Sequence, residues 1–218
     1  MRRSILLAAG LAFAPVIASV IAAPAMAQVA APAAPTAGDP AARTFVEKLA
    51  NDAFATLRDK SLSKAESRNR FRSMLEANVA LQDIGNRLIK RHRATITPAQ
   101  YAAYQSALPE FVLNAYSDRL YDYSDASLKT VRATARGGMT DVATRVTRPG
   151  SQPVDAVWQV KKTPAGKMVV NNLTVQGINL SLTQEADFNA YIQKNGFDAL
   201  VTFLKTANGK SASLRNKA

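Results

Sequence analysis

The spacing of apolar residues changes once along this chain, from a helical period before Asp125 to alternation after it. In the first part, apolar residues three and four positions apart predict two helices. Asp39-Pro40 is a favourable start for the first, because Asp caps the first turn and Pro fits its first position. Ser63 and Glu66 have the spacing of a capping box before the second. The residues expected to face the core from these helices are Phe45, Val46, Leu49, Ala53, Phe54, Leu57, Phe71, Met74, Leu75 and Val79.

Two more helical stretches precede the change of period. Leu81, Ile84 and Leu88 fall on one helical face, and a helix that continues past them places His92 on its apolar side. Thr97, followed by Pro98 and Gln100, has the pattern of a second capping box. The next stretch is rich in aromatic residues, and Pro109 inside it is a point where a helix kinks or splits. The aromatic residues of this stretch are Tyr101, Tyr104, Phe111, Tyr116, Tyr121 and Tyr123.

The segments after Asp125 alternate and are separated by Gly or Pro. They read SLKTVRATARGG, MTDVATRVTRPG, PVDAVWQVKKTPAG and KMVVNNLTVQG. Such segments predict four antiparallel strands joined by short hairpins. Two further helices follow, separated by Asn195-Gly196. The order of elements predicts an α+β domain in which helices pack on a four-stranded antiparallel meander sheet.

Both ends of the chain differ in composition from this domain. Residues 1–27 have an arginine-containing start, an apolar run and Ala25-Met26-Ala27, which is the pattern of a cleaved signal peptide. A retained membrane anchor is the alternative, although the apolar run is short for a spanning helix. Residues 28–38 are an Ala/Pro-rich linker, 39–206 the folded domain, and 207–218 a basic tail expected to be disordered.

The residue types that most catalytic sites need are scarce. Cysteine is absent, which excludes disulfides and thiolate chemistry, and His92 is the single histidine. No serine lies in a G-x-S-x-G pattern, and Gly137-Gly138 fits a hairpin better than a phosphate loop. Asp122 and Asp125 lie at a predicted helix end, where acidic residues are usually caps. We therefore expect no catalytic residue, no bound metal and no cofactor.

The formal net charge is +12, or +10 after removal of Arg2 and Arg3. A basic exported protein is expected to meet anionic lipid surfaces or acidic proteins rather than nucleic acid. A docking face and an ordinary solvated helix face both fit the cluster of cations at the end of the third helix. Its members are Arg87, Lys90, Arg91 and Arg93.

The order and spacing of motifs in the C-terminal half resemble those of the MlaC family, also called the toluene-tolerance auxiliary family. The resemblance rests on the tryptophan strand Trp158–Lys161 and the segment VVNNLTVQGINLSLTQEADFNAYIQKNGFDALVTFLK. The earlier segment DIGNRLIKRHRATITPAQYAAYQSALPEFVLNAYSDRLYDY is similar as well, so the likeness extends over residues 41–206. Gln176 stands where the family has Glu, and Val79-Ala80 where it has Phe-Asp, which is typical of a divergent member.

The resemblance implies a periplasmic phospholipid carrier, monomeric, that moves lipid between an outer-membrane lipoprotein complex and an inner-membrane ABC transporter complex. It also implies an apolar cavity between the helices and the sheet, in which a phospholipid is the ligand. The residues expected to line it are Leu81, Ile84, Leu88, Tyr104, Phe111, Tyr116, Val142, Val146, Trp158, Val160, Val170 and Leu180. A non-catalytic adaptor of the transporter complex and a small-molecule enzyme on the same scaffold are the alternatives.

Overall fold

The structure, a computed structural model, describes residues 36–121 and 123–215, without the side chains of 116–121 and 213–215. The predicted signal peptide, most of the linker, Asp122 and the side chain of Tyr116 lie outside the described residues. The helices are α1 Pro40–Arg58, α2 Lys64–Asn78, α3 Leu81–Leu88, α4 Pro98–Tyr121, α5 Leu180–Asn195 and α6 Phe197–Arg215. The strands are β1 Ser127–Arg136, β2 Met139–Thr147, β3 Val154–Lys162, β4 Met168–Val175 and β5 Ile178–Asn179.

The α+β class and the meander are confirmed, but the sheet has five strands rather than four. Each strand pairs antiparallel with the next along the chain, in the order β1-β2-β3-β4-β5. The additional strand arises at Gln176-Gly177, where both residues have positive φ (48° and 78°) and Ile178 pairs with Val175. Two central residues of positive φ make a tight hairpin turn. Gly177 therefore forms part of a hairpin turn, and the irregular register on β4 lies opposite Gln159 and Val160.

Local sequence signals set the helix starts. The Asp39 side chain accepts from Ala41 N at 2.8 Å, and Ser63 and Glu66 form the reciprocal capping box. Thr97 and Gln100 cap α4 in the same way, with Gln100 N donating to Thr97 Oγ1 at 3.2 Å. Helix α4 continues through Pro109, so this proline does not split it. None of the helices in the described ranges is both long and apolar enough to cross a bilayer.

The ends of the predicted domain differ from expectation. Linker residues 36–38 lie along the free edge of β1, where Gly38 N donates to Ala133 O and Ala135 N donates to Thr36 O. At the other end, α6 runs through Arg215 instead of ending before a disordered tail at residue 207. The side chain of Asn208 explains this extension, because its Nδ2 donates to Ala107 O of α4 at 3.0 Å.

Gly38 lies where the chain passes too close to the sheet for a side chain. A Cβ there would meet Thr140 Cγ2 at 2.5 Å and Thr134 N at 2.9 Å. We expect Gly38→Ala to lower the free energy of unfolding by about 1–3 kcal/mol, measured by urea denaturation. Gly209→Ala is the control, because its Cβ would meet nothing within 4 Å and alanine favours the helix. Equal stability of the Gly38 variant and the parent would contradict the close approach.

The apolar core has a sheet part and a helical part. Helix α1 packs Ala42 and Val46 against Val142 and Val160 on the inner face of the sheet, and Phe54 against Ala126 beyond them. The other part is formed by α3 and the residue after it, together with α4, α5 and α6. Its buried members are Leu88, Ile89, Tyr104, Ala107, Leu108, Phe188, Ile192, Phe197, Leu200, Val201 and Leu204.

Candidate functional site

The inner face of the sheet brings together the strand residues expected to line a cavity. Register places Val142 beside Trp158, Val146 on the same face of β2, and Val160 beside Val170. Val142, Val160 and Val170 are buried, while Trp158 is half-buried and its Nε1 donates to Thr144 Oγ1 at 3.0 Å. Strand alternation in the sequence therefore identified one common face.

The helix residues expected to line the cavity lie in the helical core instead. Leu88 and Tyr104 are buried there, and Ile84 and Phe111 pack against it. The Tyr104 hydroxyl donates to Gly85 O at 3.1 Å, and burial raises the pKa of this phenol well above its usual range. Its ring packs edge-on against Phe188 and Phe197, with ring centroids 6.4 and 5.8 Å away. Tyr104 therefore fills a packed core rather than facing an open space.

The residues predicted to line the cavity are thus divided between the sheet part and the helical part of the apolar core. Leu81 and Leu180 are half-buried, at the first residues of α3 and α5, and belong to neither. Val79 forms a parallel bridge with Val170, and Ala80 N donates to Val170 O at 2.9 Å. These contacts hold the start of α3 at the outer edge of β4, so Leu81 lies near the sheet and Leu88 in the helical core.

Two open grooves are present among the described residues, and most of the residues that line them are polar or charged. One, of about 330 Å³, lies between α1 and β1 and is lined by Arg43, Glu47, Asn51, Leu128, Lys129 and Thr130. The other, of about 510 Å³, lies between α1 and α2 and is lined by Asp52, Thr56, Asn69, Arg70, Ser73, Met74, Ala77 and Asn78. Sites for apolar ligands are lined mainly by hydrophobic side chains. Neither groove is the apolar cavity that was expected.

Helix α2 has few buried residues and is held to α4 by ion pairs. Its buried residues are only Ser67 and Phe71. Arg68 donates to Glu110 of α4 at 2.8 Å, and Arg72 pairs with the same carboxylate. A helix with little buried apolar surface separates from its neighbours more easily than a well-packed one.

Half-buried apolar residues extend the inner face toward α2 and α5. Leu173 lies beside Trp158 in the sheet register, and Val175 lies beside Ala156. Met74 and Leu75 of α2, which packs against β4, are half-buried as well. Sequence reasoning missed Leu173 and Val175 as lining candidates, although their spacing of two residues on a strand was a usable signal.

The cationic cluster does not form one exposed helix face, because α3 ends at Leu88. Arg87 is half-buried and its Nη2 donates to Asn171 O at 2.5 Å, while its Nε lies buried without a partner among the described atoms. Burial lowers the pKa of Arg87, and the nearby carboxylates of Asp83 and Glu185 partly oppose this shift. Arg93 stacks on Tyr101, with its Cζ 3.9 Å from the ring centroid.

Lys90 and Arg91 converge on a buried carboxylate that sequence reasoning missed. Glu185 of α5 is 6% exposed, and its Oε1 lies 3.2 Å from Lys90 Nζ and 3.8 Å from Arg91 Nε. This pairing ties the segment after α3 to α5. A single glutamate in an amphipathic helix carries no signal of burial, so only the structure identifies the pair.

The remaining candidates for chemistry have structural partners. His92 Nε2 lies 2.9 Å from Asn189 Oδ1, and Asp125 binds Arg148 at 2.9 Å. Across the described ranges, no group of three or more His, Asp or Glu side chains is arranged to hold a metal ion.

Two comparisons identify what this arrangement is similar to. Residues 47–206 match the sequence model of the MlaC protein family. The fold is similar to that of a phospholipid-binding protein from Ralstonia solanacearum, solved in complex with a phospholipid. That structure has a TM-score of 0.68 and 21% sequence identity, and the match covers 78% of this chain and 98% of the other. Because the family match extends over most of the folded domain, the chain belongs to the MlaC protein family.

Proposed function

We propose that this protein is a non-catalytic phospholipid carrier of the periplasm, which moves lipid between an outer-membrane lipoprotein complex and an inner-membrane ABC transporter complex. The observation that carries the proposal is the match of residues 47–206 to the MlaC family. The similar protein from Ralstonia solanacearum, which was solved with a phospholipid, supports the ligand class. In this proposal residues 1–27 are a signal peptide that is removed on export, and the mature chain acts as a monomer.

The physical task of such a carrier requires shielding rather than catalysis. The two acyl chains of a phospholipid contain about 30 CH₂ groups, and each costs roughly 0.8 kcal/mol when exposed to water. Free transfer through an aqueous compartment is therefore opposed by about 24 kcal/mol. A protein that encloses the chains removes most of this barrier. A weak hold on the headgroup allows the lipid to be released.

We place the acyl chains between the inner face of the sheet and the helices that cover it. Trp158, Leu173 and Val175 supply a half-buried apolar surface on this face. In this proposal the covering helices move apart to admit the chains, since the residues of this surface line neither of the two described grooves. Helix α2 is the element proposed to move, because it has few buried residues and two arginines hold it to Glu110.

The solid packing of Tyr104 and Val142 also fits an adaptor that carries nothing. Bound lipid distinguishes the two functions. We expect protein purified from a periplasmic extract to hold glycerophospholipid, measured by mass spectrometry of an organic extract, at more than a tenth of a mole per mole of protein. A basic protein of equal size, purified in parallel, is the control. Lipid no higher than in the control would contradict the carrier function and favour the adaptor.

A further inference from the structure

The start of α5 presents two large apolar side chains to solvent. Ile178 and Leu182 are each 58% exposed. They are four positions apart in the chain, so their Cα atoms lie at most about 14 Å from each other. The segment from Gln176 to Gln184 carries no charged side chain. This uncharged segment comprises the β4–β5 turn, β5 and the first turn of α5, and we call it the α5 start.

Two exposed cations lie beside the α5 start. Glu185 follows Leu182 by three positions, so the two occupy neighbouring places on the helix surface. Lys90 and Arg91 reach the Glu185 carboxylate, yet their side chains remain 57% and 65% exposed. Glu185 is one buried carboxylate shared by two cations, so the trio keeps a net positive charge. Basic side chains therefore border the α5 start within about one helical turn.

Of the two exposed carboxylates nearest to this segment in the chain or by contact, Asp155 and Asp187, the first is paired. Asp155, whose backbone N–H lies 3.4 Å from Gln176 Oε1, is held by Arg145 through two hydrogen bonds of 2.7 and 2.9 Å. Asp187 lies five positions after Leu182, on a different face of α5. Lys90, Arg91 and Glu185 together contribute one net positive charge beside the α5 start, which attracts anionic headgroups.

We propose that the α5 start, with Lys90 and Arg91 beside it, docks this protein on an anionic membrane surface. Apolar side chains that enter the interface, bordered by cations that bind lipid phosphates, are the combination that membrane-surface segments use. The chemistry favours a bilayer over an acidic protein, because an acidic partner would pair with the cations but would leave the exposed side chains of Ile178 and Leu182 without an apolar environment. Docking here holds the carrier at the membrane while lipid is exchanged. Vesicle binding and lipid carriage are separate properties, so either one can fail without the other.

The test is a vesicle flotation assay with the purified mature protein. Vesicles of phosphatidylcholine with a third phosphatidylglycerol are compared with vesicles of phosphatidylcholine alone. We expect binding only to the anionic vesicles, weakened roughly fivefold by each of Lys90→Gln and Arg91→Gln. Ile178→Ser combined with Leu182→Ser is expected to weaken binding at least tenfold, while the lipid content of the protein stays unchanged.

Matched controls test whether the loss of any exposed charge or any exposed apolar side chain weakens vesicle binding. Lys129→Gln removes an exposed charge from β1, and Val131→Ser removes a side chain that is 61% exposed on the same strand. Both controls are expected to bind like the parent. Equal binding of parent, test and control variants would overturn the proposal. Two other outcomes for Leu182→Ser would also overturn the proposal. If the variant binds vesicles like the parent but no longer self-associates, the surface contacts a second copy of the chain. If it binds vesicles like the parent but no longer binds a partner protein, the surface contacts that protein.

Discussion

Replacement of Tyr104 with alanine is expected to lower the free energy of unfolding by about 3–5 kcal/mol, one of the largest effects of a single substitution in this chain. The side chain is completely buried between Phe188 and Phe197, and its hydroxyl holds the backbone of α3 at Gly85. Alanine leaves a cavity where four helices meet. Urea denaturation measures the loss, and a fall in Tm of roughly 6–20 °C is expected to accompany it.

Tyr104→Phe separates the ring from the hydroxyl. It keeps the apolar packing and removes only the donor to Gly85 O, so a loss of about 1 kcal/mol is expected. The comparison also tests the expectation from sequence that Tyr104 lines a lipid cavity. A lining residue would tolerate alanine with little loss of stability and would change the lipid content instead. That result would contradict the packed helical core.

Replacement of Glu110 with glutamine is expected to accelerate hydrogen exchange of the α2 backbone amides about tenfold to a hundredfold. Arg68 and Arg72 both pair with this carboxylate, and loss of its charge weakens the attachment of α2 to α4. If α2 is the element that opens for lipid, transfer to acceptor vesicles is expected to accelerate by a similar factor. Hydrogen exchange, measured by mass spectrometry, reports how easily α2 separates. A fluorescent lipid assay reports the rate of transfer to acceptor vesicles.

Glu76→Gln is the matched control for this prediction. Glu76 also pairs with Arg72, at 3.6 Å, but within the same helix and on its exposed side. Such a pair contributes only about 0.3–0.5 kcal/mol, so exchange and transfer are expected to change less than threefold. Faster exchange in Glu110→Gln without faster transfer would show that lipid enters elsewhere. No change in either quantity would show that the pairing does not hold α2.

Sequence alone determined the features of this protein that depend on neighbouring residues. The caps at Asp39, Ser63 and Thr97 set three helix starts, because a side-chain oxygen satisfies amides only a few residues away. The turn at Gly137-Gly138 and the alternation of β2 and β3 predicted the meander and the common inner face of Val142, Trp158 and Val160. Motif order also indicated the family.

Only the tertiary structure decided which apolar faces meet. The helix stripe with Leu88 and Tyr104 was expected to face the sheet, yet it packs against α5 and α6. Apolar periodicity indicates that a helix face is buried, but it does not indicate which element the face packs against, because the hydrophobic effect is non-directional. The burial of Glu185 and the contact of Asn208 with α4 depend on residues that are distant in the chain. The local pattern thus indicates which apolar faces are buried, whereas the packing of the whole domain decides which faces meet and which polar residues are buried with them.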